Sequence, residues 1–321
     1  MTLFVLSEKG ELVGTLTDGD VRRGLLAGLT VNAPVTSIMR TSFRYLKMGD
    51  FTLAQVDEIR KAEVSLIPLL NQEGCIEDVI DLSKKRSVLP CDVVMMAGGL
   101  GIRLRPLTLD KPKPMLPVGN KPIIEHNIDR LISFGIYNFT ISIKYLGEQI
   151  AGYFKDGRHL GVQIQYLIEN EPLGTIGSVS QISAFKNDYV LVMNSDILTT
   201  IDFEEMFRTF IEKEADMMVA TVPYEVKVPY GVLETNEDDA VLSLKEKPIY
   251  TYYANAGIYL MKRKVLEFIP QNTFFNTTDL MDVVIAKGMK LSSYPILGYW
   301  LDIGQMEDYH RAQHDIKHLQ L

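Results

Sequence analysis

Cys91-Asp92-Val93-Val94-Met95-Met96-Ala97 runs directly into Gly98-Gly99-Leu100-Gly101. A nearly unbroken apolar run of strand length, stopped by glycines, reads as a buried parallel strand and the turn at its carboxyl end. Downstream, Lys121-Pro122 reads as the opening of a helix, with Pro in the first turn, Ile123, Ile124, Ile128, Leu131 and Ile132 on the core face, and Gly135 as its stop. Further strands are expected over residues 139–143, 162–168 and 189–193, alternating with helices such as residues 202–214. That alternation predicts an open, mainly parallel α/β sheet with helices on both faces. Ligands of such sheets bind beyond the carboxyl ends of the strands, which directs attention to the loop from Gly98 and to Asn194-Ser195-Asp196.

The chain has 321 residues, 46% of them hydrophobic, enough for one substantial core and a smaller second one. A net charge of −8, with no basic block longer than Lys84-Lys85-Arg86, offers no footprint for nucleic acid or an anionic membrane. Two cysteines make neither a disulfide framework nor a zinc site. The opening Met1-Thr2-Leu3-Phe4-Val5-Leu6 breaks into Ser7-Glu8-Lys9-Gly10 too early for a signal peptide, and no apolar run approaches membrane-spanning length. A cytoplasmic protein is expected.

Two N-terminal stretches resemble each other. Phe4 to Gly10 and Ile67 to Gly74 are each an apolar strand followed by a polar turn closed by Gly. The first continues as Leu12-Val13-Gly14-Thr15-Leu16-Thr17-Asp18-Gly19-Asp20, a strand entering a helix at an Asp cap. The second continues as Cys75 to Asp81 without that Thr-Asp-Gly-Asp turn. The pair resembles a CBS domain pair, a small α+β module over residues 1–88 whose first repeat reads as truncated. The resemblance implies an adenine nucleotide near Thr17 and Asp20, whereas the residues alone allow a plain helix cap. Ser83 to Pro90 is polar, basic and ended by Pro, as a linker would be, so a second domain is expected over residues 91–321.

The glycine turn continues through Ile102-Arg103-Leu104-Arg105-Pro106-Leu107-Thr108 to Asp110-Lys111-Pro112-Lys113-Pro114-Met115-Leu116-Pro117-Val118. Glycines leave backbone N–H groups free to cradle phosphate. A dinucleotide fingerprint would need Gly where Leu104 stands, and a Walker A loop would need Lys-Ser/Thr after its last Gly. Arg103, Arg105, Lys111, Lys113 and Lys121 against the single Asp110 form a local basic excess that suits a triphosphate.

From about Val93 onward the chain resembles the sugar-1-phosphate nucleotidyltransferases, closest in look to their mannose-1-phosphate guanylyltransferase-like members. The resemblance implies a Rossmann-like nucleotidyltransferase sheet, with a nucleoside triphosphate cradled by Ala97, Gly98, Gly99 and Gly101. It also implies that Arg103 and Lys113 act as the catalytic cations. Glu169-Asn170-Glu171-Pro172-Leu173-Gly174-Thr175-Ile176-Gly177 resembles the base-recognition loop, placing Glu169, Glu171, Gly174 and Thr175 at the nucleotide. Tyr230-Gly231-Val232, Glu246-Lys247-Pro248 and Asn255-Ala256-Gly257 resemble the sugar-binding stretches. They would set Gly231, Glu246, Lys247 and Asn255 around the sugar 1-phosphate. Asp196 ends an apolar strand, where an unpaired carboxylate is costly and a Mg²⁺ ion would relieve it. Asp302, in Tyr299-Trp300-Leu301-Asp302-Ile303-Gly304, would be the second ligand of that ion.

The expected reaction joins an NTP to a sugar 1-phosphate, giving a nucleotide sugar and pyrophosphate. Carboxylates at Glu169 and Glu171 suit the adjacent donors of guanine, which favours GTP, with UTP, dTTP and CTP as alternatives. A non-catalytic adenylate-sensing regulator is the reading from another class, and homo-oligomerisation stays open. His310, His314 and His318 fall one turn apart, but the neighbouring apolar stripe of Tyr309, Ala312, Ile316 and Leu319 places them on a solvated flank.

Overall fold

The computed structural model describes residues 1–319, so the last two residues of the 91–321 segment lie outside the description. The N-terminal part contains β1 (Thr2–Leu6), β2 (Leu12–Thr17), α1 (Asp18–Leu26), β3 (Leu46–Lys47), α2 (Leu53–Lys61), β4 (Leu66–Leu70) and β5 (Ile76–Asp81). There follow β6 (Cys91–Ala97), β7 (Pro117–Val118), β8 (Lys121–Pro122), α3 (Ile123–Ser133), β9 (Asn138–Ile143), α4 (Gly147–Phe154) and β10 (Gln163–Ile168). Next come β11 (Tyr189–Asn194), β12 (Ile197–Thr199), α5 (Phe203–Glu212), β13 (Met217–Lys227), β14 (Val232–Thr235) and β15 (Val241–Lys245). The chain closes with β16 (Ile249–Lys262), α6 (Thr277–Ala286), β17 (Leu291–Pro295), β18 (Trp300–Asp302) and α7 (Met306–Asp315).

Seven strands form the central sheet in the order β10-β9-β6-β11-β16-β13-β17. Only β16 runs against its neighbours; the other pairs are parallel, so the expected mainly parallel α/β sheet is present. The two-residue period of the strands divides the core. Val93, Met95, Leu191 and Met193 pack with α3, α4 and α5, while Val94, Val190 and Val192 face α6 on the other side. Burial on both faces explains why β6 reads as a continuous apolar run.

Three local expectations need correction. Lys121-Pro122 is a short strand paired with β7, and α3 starts one residue later with Pro122 at its N-cap, because Pro has no N–H to lose there. The cap of α1 is Thr17, not an Asp, and Asp20 closes a capping box by returning its carboxylate to the Thr17 N–H at 2.9 Å. The Ser83–Pro90 stretch is no free linker: Ser87, Val88 and Leu89 are buried, and Arg86 and Leu89 donate their N–H groups to Ser133 and Phe134.

The N-terminal part rests on the amino-end side of the sheet. Leu53 of α2 belongs to the main core, and Arg208 of α5 grips Asp57 of α2 with two bonds of 2.8 and 3.0 Å. Glu11 and Cys75 form a bridge between the two hairpin turns, with the Leu12 N–H on the Gly74 carbonyl at 2.9 Å. The buried carboxyl of Asp92 accepts from the N–H groups of Lys186 and Asn187 and from Asn187 Nδ2, at 2.7 to 2.9 Å. Burial nevertheless raises its pKa.

Gly135 turns the chain after α3 at φ +73°, and a Cβ there would stand 2.6 Å from the Ser87 carbonyl oxygen. Both obstacles are backbone in origin. Gly135→Ala is therefore expected to lower unfolding stability by about 1–3 kcal/mol. An unchanged urea midpoint at constant m-value would contradict this close approach.

Candidate active site

Parallel strands deliver their carboxyl ends to one edge. There β6 leads into Gly98, β9 into Lys144, β10 into Glu169 and β11 into Ser195 and Asp196. A cleft along this edge is lined by Gly98, Gly99, Leu100, Lys144, Glu169 and Asp196, and further by Pro172, Gly174, Thr175, Asn194 and Phe274. Backbone here comes close to side chains. A Cβ on Gly98 would stand 3.3 Å from Glu169 Oε1, and one on Gly101, at φ +61°, would stand 3.0 Å from Lys113 Cβ and Thr108 Cγ2. Gly101 therefore answers to both conformation and space.

Lys113 is buried and its ammonium donates to Asp196 Oδ2, with Asp302 Oδ1 at 3.8 Å. The two acids are brought together by pairing of β12 with β18, which sets Ile197 opposite Asp302, and by the Ile303 N–H on the Asp196 carbonyl at 3.1 Å. Asp196 Oδ1 is buried without a hydrogen-bond partner among the described residues. Burial raises the Asp302 pKa, and the nearby Asp196 charge raises it further against the lowering effects of Lys113 and Arg103. Arg103 is exposed, and its Nη2 lies 3.4 Å from where a Gly304 Cβ would be.

The other expected site residues divide. Glu169 is 8% exposed and its Oε1 accepts from Ser142 Oγ at 2.5 Å, whereas Glu171 is exposed and does not line the cleft. Ala97 is buried at the strand end. Thr175 has its hydroxyl engaged by the Thr277 N–H at 2.8 Å. Gly231, Glu246, Lys247 and Asn255 are exposed and outside the cleft lining; Glu246 Oε2 lies 3.1 Å from a Cβ built on Gly231, and Asn255 Oδ1 accepts from the Gly257 N–H at 2.9 Å. Lys121 is occupied by Asp129 and Glu125, which removes it from the basic excess expected for a triphosphate. Thr17 and Asp20 hydrogen-bond to each other, and Asp20 also holds Arg23 and Arg40. His310, His314 and His318 are exposed, as expected of a solvated flank.

Sequence reasoning missed Lys144 and the loop around Phe274, both of which line the cleft. Lys144 follows directly on β9, so the strand-end rule contained a signal for it. The loop of residues 271–277 clamps the 173–177 loop: the N–H groups of Ile176 and Gly177 donate to the Phe275 carbonyl, and that of Phe275 donates to Leu173.

The nucleotidyl transferase family model matches residues 92–318, and the chain belongs to that family. It is 34% identical over 230 residues to a mannose-1-phosphate guanylyltransferase of Mycobacterium tuberculosis, covering 70% of this chain and 64% of that relative. It is 30% identical over 252 residues to a UTP–glucose-1-phosphate uridylyltransferase of Synechocystis, covering 71% and 65%. The chain thus spans slightly less than two thirds of the length of these curated relatives. The crystal structure of HddC from Yersinia pseudotuberculosis complexed with GMP-PN matches with a TM-score of 0.54 and 28% identity, over 70% of this chain and 99% of that one.

The raised pKa of Asp302 has a sign that can be tested. A carboxyl whose pKa is higher folded than unfolded favours the fold while protonated, and that contribution is lost as pH rises through the folded value. Asp302→Asn is therefore expected to raise Tm in chelator at pH 8, with the gain shrinking as pH falls toward the ordinary carboxylate range. A lower Tm at pH 8 would show that ionised Asp302 is stabilising.

Proposed function

We propose that this protein joins a nucleoside triphosphate to a sugar 1-phosphate, forming a nucleotide sugar and pyrophosphate. The reading is carried by one observation: Lys113 set between Asp196 and Asp302 beside an open glycine turn. The family and both curated relatives point the same way.

A phosphate monoester is largely dianionic at neutral pH, so its oxygen is already the nucleophile and needs no general base. The work left to the protein is to align two polyanions and stabilise charge that moves onto the leaving pyrophosphate. The amides of Gly98, Gly99 and Gly101 hold the phosphates, while Arg103 and Lys113 oppose the developing charge. Two carboxylates sharing one ammonium, with an orphaned buried oxygen on Asp196, suit Mg²⁺, and Asp196 and Asp302 would hold it. When bound, the ion supplies charge neutralisation at the reacting phosphates. Glu246 and Lys247 serve the sugar hydroxyls and phosphate, with Gly231 and Asn255 beside them.

GTP is the favoured nucleotide, because buried Glu169 lines the cleft and a carboxylate suits the paired N1–H and N2–H₂ donors of guanine. The relatives include both guanylyl and uridylyl enzymes, so the four common triphosphates belong in the assay. The N-terminal part is read as a CBS-like regulatory module. Thr17 lines a cleft of about 500 Å³ with Arg40, Arg44, Ser42 and Ser65, whose cations and hydroxyls suit the phosphate of an adenine nucleotide, whereas Asp20 is buried in its own ion pairs and does not line it. Two free cysteines, one buried, suit a reducing cytoplasm.

Pyrophosphate release is the test, with four triphosphates against a panel of sugar 1-phosphates. Asp196→Asn and Lys113→Met are expected to cut kcat by about 10² or more. Undiminished turnover in both would remove the site. The GTP to UTP ratio of kcat/KM is expected to collapse in Glu169→Gln, since the amide presents a donor to a donor; a ratio untouched by the change places base recognition elsewhere. For the N-terminal cleft, AMP or ATP is expected to raise Tm in the native chain and not in Arg44→Glu. Equal shifts in both would refute binding there.

A further inference from the structure

We infer that Asn127 of α3 is a positioning residue that sets the Asp196 carboxylate for its cation. This rests on the metal assignment proposed above. Asn127 is only 4% exposed, on the buried side of a helix that also buries Ile123, Ile124, Ile128, Leu131 and Arg130. A buried amide in such surroundings costs free energy unless it is hydrogen-bonded. Its Nδ2 donates to the Ser195 carbonyl at 3.3 Å and to the Ile197 carbonyl at 2.7 Å, the two carbonyls on either side of Asp196.

An amide nitrogen carries two hydrogens in a fixed fork. Spanning both carbonyls, it fixes their separation and so limits the backbone torsions of the residue between them. The same turn is held from two other directions. Ser195 donates its N–H and Oγ to the Met96 carbonyl at 3.1 and 2.7 Å, and Ile303 donates its N–H to the Asp196 carbonyl. The helix also reaches the partner cation, since the Ile123 N–H donates to Leu116 at 3.1 Å, just beyond the short helical turn that carries Lys113. One element thereby fixes both members of the Lys113–Asp196 pair.

Arg130, three residues further along α3, supplies a matched control. It is 3% exposed and donates Nε to the Ile201 carbonyl at 3.1 Å, beyond the Asp196 turn. Removing it disturbs the same helix and the same chain segment without touching the carbonyls beside Asp196.

The experiment titrates Mn²⁺ into the chain without nucleotide or sugar phosphate, reading free Mn²⁺ by electron paramagnetic resonance. Asn127→Leu is expected to weaken Mn²⁺ binding about tenfold or more, whereas Arg130→Met stays within about twofold of native even though both lower Tm. If the leucine variant does not fold, Asn127→Ser, which keeps one donor, is read against the same control. Affinity unchanged in the folded Asn127 variant, or weakened equally in Arg130→Met, overturns the inference alone. Binding that survives Asp196→Asn removes the metal assignment and this inference with it.

Discussion

Everything at the carboxyl edge depends on one ammonium shared by two carboxylates. Lys113, Asp196 and Asp302 come from three separate parts of the chain, and their proximity requires β12 and β18 to pair in a single register. Two acids so close would repel one another, and burial would penalise both. The ammonium offsets part of that cost and leaves the group with excess negative charge. A site in this condition favours a further cation, and a divalent ion would compete with Lys113 for the same oxygens. On the proposed reading, such an ion would release Lys113 from Asp196 and leave its charge free to oppose phosphate. A single side chain would thus serve as counter-ion in the empty site and as a partner of phosphate in the filled one.

The glycine turn answers to the same cluster. At Gly101 any side chain would press on Lys113 and Thr108, and Thr108 in turn donates its hydroxyl to the Gly101 carbonyl at 2.8 Å. At Gly98 a side chain would press on Glu169. The turn is therefore narrow where it meets its neighbours, while at Gly99 nothing lies within 4 Å of a built Cβ and the backbone faces the open cleft. Close packing on one side and bare amides on the other are what a phosphate cradle requires.

The parts legible in the sequence are those with a local physical cause. Burial on both faces makes β6 a continuous apolar run, and the alternation of strands and helices points to the Gly98 and Asp196 loops at the strand ends. The parts that were not legible act across long separations. Asn127 reads as one of several polar residues in an amphipathic helix, and nothing near it in sequence tells that its partners are the carbonyls of Ser195 and Ile197. The clamp of residues 271–277 on the 173–177 loop joins segments about a hundred residues apart. Lys121 misled for the opposite reason. Its charge was visible, but its neutralisation by Asp129 and Glu125 depends on where the following helix turns its acids.

The position of the N-terminal part restricts how it can act. It meets the central sheet at the amino ends of the strands, where a Cβ on Gly49 would stand 2.5 Å from the Lys186 carbonyl oxygen and Asp57 is locked to Arg208. Lys186 and Asn187 are fastened in turn to Asp92 at the start of β6. The cleft lies at the opposite ends of the same strands, so no residue of the N-terminal part contributes to its lining. On the proposed regulatory reading, a change in that part would reach the cleft through β6 and β11 or through α5, the elements it touches. Both strands are buried and paired on either side, which opposes sliding. Because α5 is bound to the sheet by side-chain packing and not by backbone ladders, the path through Arg208 would be the more compliant of the two.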